Sequence, residues 1–239
     1  MMCNHAYVMP LTDTTLRCLD CGEVLQKKPA VPGGSVVMPV GSLRLDEARW
    51  NRLRGQLPGC KGKCWTNIPY SVVKSNGWYL NELKVGAIYL VMPIYRAGKP
   101  VFYSARLAAT ASQDGGGYLK YRYPTGVDKV YWTSVDPFAF RGKTLIFTEG
   151  VADAAYAAYV TDYEAVGVAL LGSWYNGSLT YAIAPSNRAV ILLDGDARGI
   201  EAAMRLHKQL RDLMPTMVVV LDDDPTDLSP ADLKQAVAM

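Results

Sequence analysis

The chain has 239 residues, of which 50% are hydrophobic and 20% charged, so it can bury a sizeable core and long disorder is excluded. No apolar run reaches the ~18 residues that cross a bilayer, and the first ten residues lack the layout of a signal peptide, so we expect no membrane association. The net charge of +3 conceals a split, because residues 1–142 carry 18 Lys and Arg against 9 Asp and Glu, whereas residues 143–239 carry 7 against 13. A basic first half favours a polyanionic partner and an acidic second half favours metal ions, although two domains of different pI would give the same split.

The first segment of the chain has the spacing of a zinc site. Cys18 and Cys21 form a Cys-x-x-Cys pair followed by glycine, and Cys3 and His5 lie upstream. Zn²⁺ binds four ligands in structural sites, and these four residues supply a Cys₃His set. A segment this short cannot hold itself together by burial, so metal binding would supply its folding energy. We predict a zinc ribbon over residues 1–30, the alternative being a pair of buried thiols.

Two further cysteines leave the ligand set open. Cys60 and Cys64 could replace Cys3 and His5 as partners, or could be partly buried thiols. Five cysteines are an odd number, which argues against a disulfide framework and for a reducing compartment.

The middle of the chain predicts a mixed, largely antiparallel region over residues 85–135. Apolar residues at helical spacing predict a helix over 42–54. Two apolar runs, 88–95 and 100–106, flank a glycine and predict a hairpin, and a third strand is expected over 118–123.

Beyond residue 143, short apolar runs alternate with helical segments. We predict strands over 144–148, 165–171, 189–193 and 217–221, and helices over 151–160, 178–184, 199–213 and 230–237. Four short apolar strands alternating with helices indicate a parallel sheet covered on both faces. In such sheets ligands bind outside the carboxyl ends of the strands.

Carboxylates follow three of those strands. Glu149 follows the first, Asp194 and Asp196 follow the third, and Asp222 and Asp224 follow the fourth. On an extended chain Asp194 and Asp196 point the same way, so we expect both to join Glu149 in one pocket. Like charges repel unless cations neutralise them, and Mg²⁺ prefers such oxygen ligands. The alternative is that these residues cap the helices that follow them.

These motifs resemble a known family. Glu149-Gly150 after a strand, then Asp194-Gly-Asp196 followed by Gly199 and an Ala-rich helix, resembles the Toprim domain of topoisomerases and primases. Val168-Ala-Leu-Leu-Gly172, Asp224-Pro-Thr-Asp-Leu228, the hairpin over 92–106 and the Leu119-Lys-Tyr121 segment are similar to bacterial and phage DNA primases. Ala197-Arg198 departs from the usual spacing between the second aspartate and the glycine.

The resemblance implies an α/β fold in three parts: a zinc ribbon over 1–30, a mixed α+β basic subdomain over 36–140, and a Toprim-type parallel sheet with helices on both faces over 141–239. It implies that Arg106 and Lys120 act with Glu149, Asp194 and Asp196 in catalysis. Tyr121, Lys129 and Arg198 would contact nucleic acid or nucleotide. The metals would be structural zinc and catalytic magnesium or manganese, with Glu149 either a metal ligand or a general acid/base.

The implied activity is synthesis of short RNA primers on a single-stranded DNA template from ribonucleoside triphosphates. A replicative helicase would be supplied by a separate protein. The compact layout suggests a phage or mobile element acting in the cytoplasm of a bacterial host. Two alternatives are a Toprim-type metal-dependent nuclease and a non-catalytic zinc-ribbon protein that binds nucleic acid.

Overall fold

The computed structural model of the chain falls into two compact units, residues 1–35 and 36–239. The structure describes residues 8–10, 15–18, 24–26, 36–54, 65–83, 86–110, 119–125, 127, 129–135, 137–172, 179, 183 and 186–238. No helix in these ranges is long and apolar enough to cross a membrane.

The first unit contains a three-stranded antiparallel sheet. Its strands are β1 (Val8–Pro10), β2 (Thr15–Cys18) and β3 (Val24–Gln26), paired in that order. Cys18 is the last residue of β2. Cys3, His5, Cys21, Cys60 and Cys64 lie outside the described residues, so the zinc ribbon and its ligand set stay predictions.

The second unit begins with a five-stranded antiparallel sheet. In spatial order its strands are β4 (Ser42–Arg44), β5 (Tyr79–Glu82), β6 (Ala87–Arg96), β7 (Lys99–Thr110) and β8 (Tyr121–Arg122). The predicted hairpin is confirmed as β6 and β7, and the predicted third strand is reduced to the two residues of β8. Helix α2 (Tyr70–Ser75) precedes β5.

The helix predicted over 42–54 is wrong in its first part. Residues 42–44 form β4, which pairs with β5, and only Glu47–Leu53 is helical, as α1. The helix cannot begin earlier because Asp46 is its N-cap, with an extended backbone and a carboxylate that accepts a hydrogen bond from the Arg49 amide.

The other sheet of the second unit has five strands in the order β13, β12, β10, β11, β9. They are β9 (Trp132–Thr133), β10 (Thr144–Thr148), β11 (Ala165–Ala169), β12 (Arg188–Ile191) and β13 (Thr216–Val218). The four predicted parallel strands are confirmed, and the antiparallel edge strand β9 was not predicted.

Helices cover both faces of this sheet, as predicted. They are α3 (Val151–Val160), α4 (Ala197–Leu210) and α5 (Pro230–Ala238). Side chains alternate along β10, so Ile146 packs on the side of α3 and α5, whereas Leu145 and Phe147 pack on the side of α4. Most of the predicted helix over 178–184 lies outside the described residues.

One hydrophobic core joins the two sheets of the second unit. Leu90 and Met92 of β6 belong to the same buried cluster as Ile146 of β10 and Tyr156 of α3. The shared core fixes the antiparallel sheet of β4 to β8 against the sheet that contains the parallel strands. The predicted division at residues 140/141 falls inside this compact unit and stays a prediction.

Candidate active site

A narrow cleft, which we name the acidic cleft, lies where the antiparallel sheet of the second unit meets the carboxyl ends of the parallel strands. Its lining combines carboxylates from segments that follow the parallel strands and from the first turn of α3 with cationic and aromatic side chains from the antiparallel sheet and the segments beside it. The lining residues are Trp65, Met92, Arg106, Lys120, Tyr121, Glu149, Gly150, Val151, Ala152, Asp153, Asp194 and Asp224. Of the sequence-predicted residues, the structure brings Glu149, Asp194, Asp224, Arg106, Lys120 and Tyr121 together here.

Glu149 and Asp194 are neighbours because β10 and β12 pair in parallel and both chains leave the sheet at the same edge. The pKa of Asp194 is raised to about 6. Burial is the largest cause, followed by the charges of Glu149 and Asp224 and by a hydrogen bond with Glu149. Lys120 opposes this shift. Two carboxyls in hydrogen-bonding contact are most stable when a proton or a cation lies between them.

Asp153, which the sequence analysis did not single out, is the fourth carboxylate of the cleft. It lies in the first turn of α3, three residues after Gly150, and its Oδ1 accepts a hydrogen bond from Thr226 Oγ1 at 3.1 Å. Burial, then the charges of Asp224 and Asp194, raises the pKa of Asp153 to about 7. The available signal was the Glu149-Gly-x-x-Asp153 spacing, which carries the first helical turn back toward the strand end.

Asp224 is held by a short 3₁₀ turn, Pro225–Asp227. Asn67 Nδ2 donates to the carbonyls of Thr226 and Leu228, at 3.3 and 2.9 Å. The Tyr156 hydroxyl also donates to the Leu228 carbonyl, at 3.1 Å. The turn that carries Asp224 is therefore tied both to the segment before α2 and to α3.

Arg106 is the main cation of the opposite wall. It lies on β7 opposite Tyr121 of β8, and only 7% of its surface is exposed. Its guanidinium carbon is 5.0 Å from the centre of the Tyr121 ring and 5.7 Å from that of Trp65. Aromatic faces offset part of the desolvation cost of a buried cation, and the charge of Arg106 acts on Asp153 across the cleft.

A ladder of rings and cations extends this wall. Tyr121 and Tyr123 stack nearly parallel, with ring centres 6.3 Å apart. Lys120 Nζ lies 5.8 Å from the Tyr121 ring, and Lys129 Nζ lies 4.7 Å from the Tyr123 ring. Burial lowers the pKa of Lys129, and the charge of Glu149 opposes that shift. Lys129 does not line the cleft, but its charge reaches a carboxylate that does.

Three predicted residues lie elsewhere among the described positions. Asp196 is exposed and caps α4, because the chain turns into the helix at that point; its Oδ1 accepts a hydrogen bond from the Gly199 amide at 2.7 Å. Asp196 therefore does not line the cleft with Glu149 and Asp194, and the expectation that the three share one cation pocket stays a prediction. Arg198 and Asp222 are exposed and do not line the cleft. The metal or nucleotide contacts predicted for these three residues stay predictions.

The carboxylates of the cleft have the donor chemistry of a magnesium site. Within the described ranges, no group of three or more His, Cys, Asp or Glu side chains is arranged to hold a metal ion. Mg²⁺ keeps several waters and is commonly bound through one or two carboxylates. Glu149 is in hydrogen-bonding contact with Asp194 and its charge raises the pKa of the Asp194 carboxyl, so ionising Asp194 carries a cost that a divalent cation relieves. These two residues could therefore hold such an ion.

The structure is similar to solved catalytic cores of DNA primases. It matches the primase fragment of the bacteriophage T7 primase–helicase protein at a TM-score of 0.51 and 15% identity, covering 97% of this chain and 92% of that one. It matches a DnaG primase catalytic domain bound to single-stranded DNA at a TM-score of 0.50 and 18% identity, covering 63% of this chain and 51% of that one. The sequence matches no protein-family model. No curated protein matches it significantly.

The chain therefore has the fold of a primase catalytic core. At 15% and 18% identity the likeness concerns the fold and not the activity.

Proposed function

We propose that this protein is a DNA primase that synthesises short RNA primers on single-stranded DNA. The observation that carries the proposal is the cleft, in which Glu149, Asp153 and Asp194 face Arg106 and Lys120. Nucleotidyl transfer moves negative charge between phosphate oxygens, so it needs oxygen ligands for a divalent cation on one side and fixed positive charge on the other. The primase-type fold supports the same reading.

We extend the proposal to the three parts of the chain, to its substrates and partner, and to its metal ions. Residues 141–239 would be a Toprim domain, 36–140 the basic subdomain and 1–30 a zinc ribbon that helps to recognise the template. Ribonucleoside triphosphates would be the substrates, and a replicative helicase would be a partner. Magnesium or manganese, held by Glu149 and Asp194, would supply Lewis-acid stabilisation of the triphosphate and would ease ionisation of the attacking hydroxyl.

The protein residues divide the remaining work. The transfer forms a bond from the primer 3′-oxygen to the α-phosphorus and breaks the bond to pyrophosphate. Glu149 would serve either as a metal ligand or as the acceptor of the hydroxyl proton. Arg106, fixed between two rings, would stabilise the charge on the phosphates without reorganising, and exposed Lys120 would reach the incoming triphosphate.

Primer synthesis on single-stranded DNA with labelled ribonucleotides tests the proposal. We expect Asp194→Asn to lose roughly 10²-fold or more in activity, because it removes half of the ion-binding pair. Asp223→Asn, an exposed neighbour of Asp224 that does not line the cleft, is the matched control and should keep full activity. Full activity of Asp194→Asn would refute the assignment.

The same preparation separates the alternatives. Incubation with single-stranded DNA or RNA and Mg²⁺, but without nucleotides, should leave the strand intact, whereas a nuclease would cleave it. Tight template binding without nucleotide incorporation by the wild-type protein would instead indicate a non-catalytic nucleic-acid-binding protein.

A further inference from the structure

A second, larger cleft lies at the turn of the β6–β7 hairpin and shares no lining residue with the acidic cleft. We name it the hairpin cleft. It has a volume of about 510 Å³ and is bounded by the hairpin turn, the end of α2, the last residue of β4 and residues 132–135. Ala97 and Gly98 both have positive φ, at 48° and 74°, which gives the tight two-residue turn that closes one end.

The charge of the hairpin cleft is entirely positive among its described lining residues. Arg44, Lys74 and Arg96 come from three different elements, and no Asp or Glu lines the cleft. In the described part of the chain, none of the three forms an ion pair. Like charges that face one cavity without a counter-charge repel one another, and a bound anion would relieve that repulsion.

Arg96 is held in a fixed orientation. Its guanidinium donates to the carbonyls of Tyr95 and Tyr131, at 2.9 and 2.7 Å, and lies 4.9 Å from the centre of the Tyr131 ring. Arg44 and Lys74 are exposed and able to move. The cleft therefore combines one preorganised cation with two that can adapt to a ligand.

We propose that the hairpin cleft binds the sugar–phosphate backbone of single-stranded nucleic acid, at a site separate from the acidic cleft. Three cations on separate elements suit successive phosphates along a strand better than the compact charge of one triphosphate. Tyr95, 40% exposed at the rim, offers a ring face on which a base can stack. The proposal rests on the proposed function for its choice of partner, since a primase must hold its template.

Binding of a fluorescent oligo-dT to the full-length protein, measured by anisotropy in buffer without added Mg²⁺ or nucleotides, tests the site independently of catalysis. We expect Arg44→Gln with Lys74→Gln to weaken binding roughly tenfold and to reduce the slope of log K against log salt by about 1.4, because two phosphate contacts are lost. The matched control is Lys208→Gln with Arg211→Gln, which removes two exposed cations at the end of α4 and should change affinity less than about twofold. Equal affinity of the two double variants would overturn the proposal.

Photocrosslinking identifies the bound segment. An oligonucleotide carrying 5-iodouracil should crosslink to Tyr95, and a crosslink confined to Tyr121 or Tyr123 would overturn the site. If free ATP binds the cleft, and Arg44→Gln with Lys74→Gln abolishes that binding while oligonucleotide affinity is unchanged, the ligand is a mononucleotide and the proposal is wrong. A wild-type protein that binds through this cleft but makes no primers would refute the proposed function and leave this inference intact.

Discussion

Asp153 is a single residue at which the cleft lowers the stability of the folded protein when its carboxyl is ionised. Its carboxyl is held among two other carboxylates in a poorly solvated place, with Thr226 and Arg106 as the favourable neighbours. At 1.36 kcal/mol per pKa unit, the rise from 3.8 to about 7 corresponds to roughly 4 kcal/mol between the protonated and ionised forms. The folded-state pKa lies above the ordinary value, so the stabilising form is the protonated one. That contribution is complete below pH 3.8 and is lost as the pH rises through about 7.

We therefore predict that Asp153→Asn stabilises the protein at alkaline pH while it abolishes primer synthesis. Asparagine keeps an acceptor for Thr226 but cannot ionise, so the difference in Tm between variant and wild type should grow from pH 4 to pH 8 by roughly 8–16 °C, at about 2–4 °C per kcal/mol. Thermal unfolding at several pH values measures this difference. Asp212→Asn, at an exposed carboxylate, is the control and should give a flat profile. A Tm difference for Asp153→Asn that does not vary with pH would contradict the prediction.

Arg106 depends on the shape of its side chain as well as on its charge. A guanidinium is flat and lies against the Tyr121 and Trp65 rings, whereas an ammonium is compact and strongly hydrated. We predict that Arg106→Lys lowers primer synthesis by roughly 10²-fold although it conserves the charge. Arg122→Lys is the matched control, because Arg122 also lies over a tyrosine ring, that of Tyr89, but outside the cleft. Similar losses in the two variants would show that the position of Arg106 is not special.

At the scale of the elements, the start of α4 sets the position of Asp194. A Cβ on Gly199 would lie 1.9 Å from the Asp194 carbonyl oxygen, so only glycine lets the first turn of the helix come this close to the end of β12. Asp196 completes the junction as the N-cap.

Gly199→Ala should therefore damage both the fold and the cleft. We expect a loss of about 1–3 kcal/mol in the free energy of unfolding, because backbone has to move to admit the methyl group. Primer synthesis should fall with it, since Asp194 moves with the displaced backbone. Glu201→Ala, an exposed position one turn into the same helix, should retain both properties. Urea unfolding and primer synthesis on the same samples measure both effects, and an unchanged midpoint would contradict this account.

The elements also show what the sequence can and cannot predict. Glu149 and Asp194 were predicted because they end apolar strands, and the parallel register brings both to one edge. Asp153 was not, because its position depends on the direction in which α3 leaves the sheet. Asp196 was expected in the cleft because the residues after β12 are extended, but its carboxylate accepts a hydrogen bond from the Gly199 amide and caps α4. The hairpin cleft depends on contacts between distant segments, which no local pattern contains.

At the scale of the whole molecule, the two compact units allow a test of the zinc prediction in the full-length chain. We expect about one zinc per chain by mass spectrometry, lost in Cys18→Ser and kept in Cys60→Ser. Loss of zinc in Cys60→Ser would show that Cys60 and Cys64 complete the site. Because residues 36–239 form a separate unit with their own core, extension of a preformed primer should survive the loss of zinc, while initiation on bare template should fall at least roughly tenfold. Equal loss of both activities would contradict a role confined to template recognition.

Three indole rings in the second unit form a contiguous group. The ring centres of Trp50, Trp65 and Trp78 are 6.0 to 6.3 Å apart in pairs, and Trp65 alone of the three also lines the acidic cleft and lies against Arg106. Indoles at this separation exchange excitation energy, so a quencher or a stacked base near one of them dims the others. The protein thus carries an intrinsic optical reporter, and its ultraviolet emission should follow substrate arrival in a stopped-flow instrument without any attached dye.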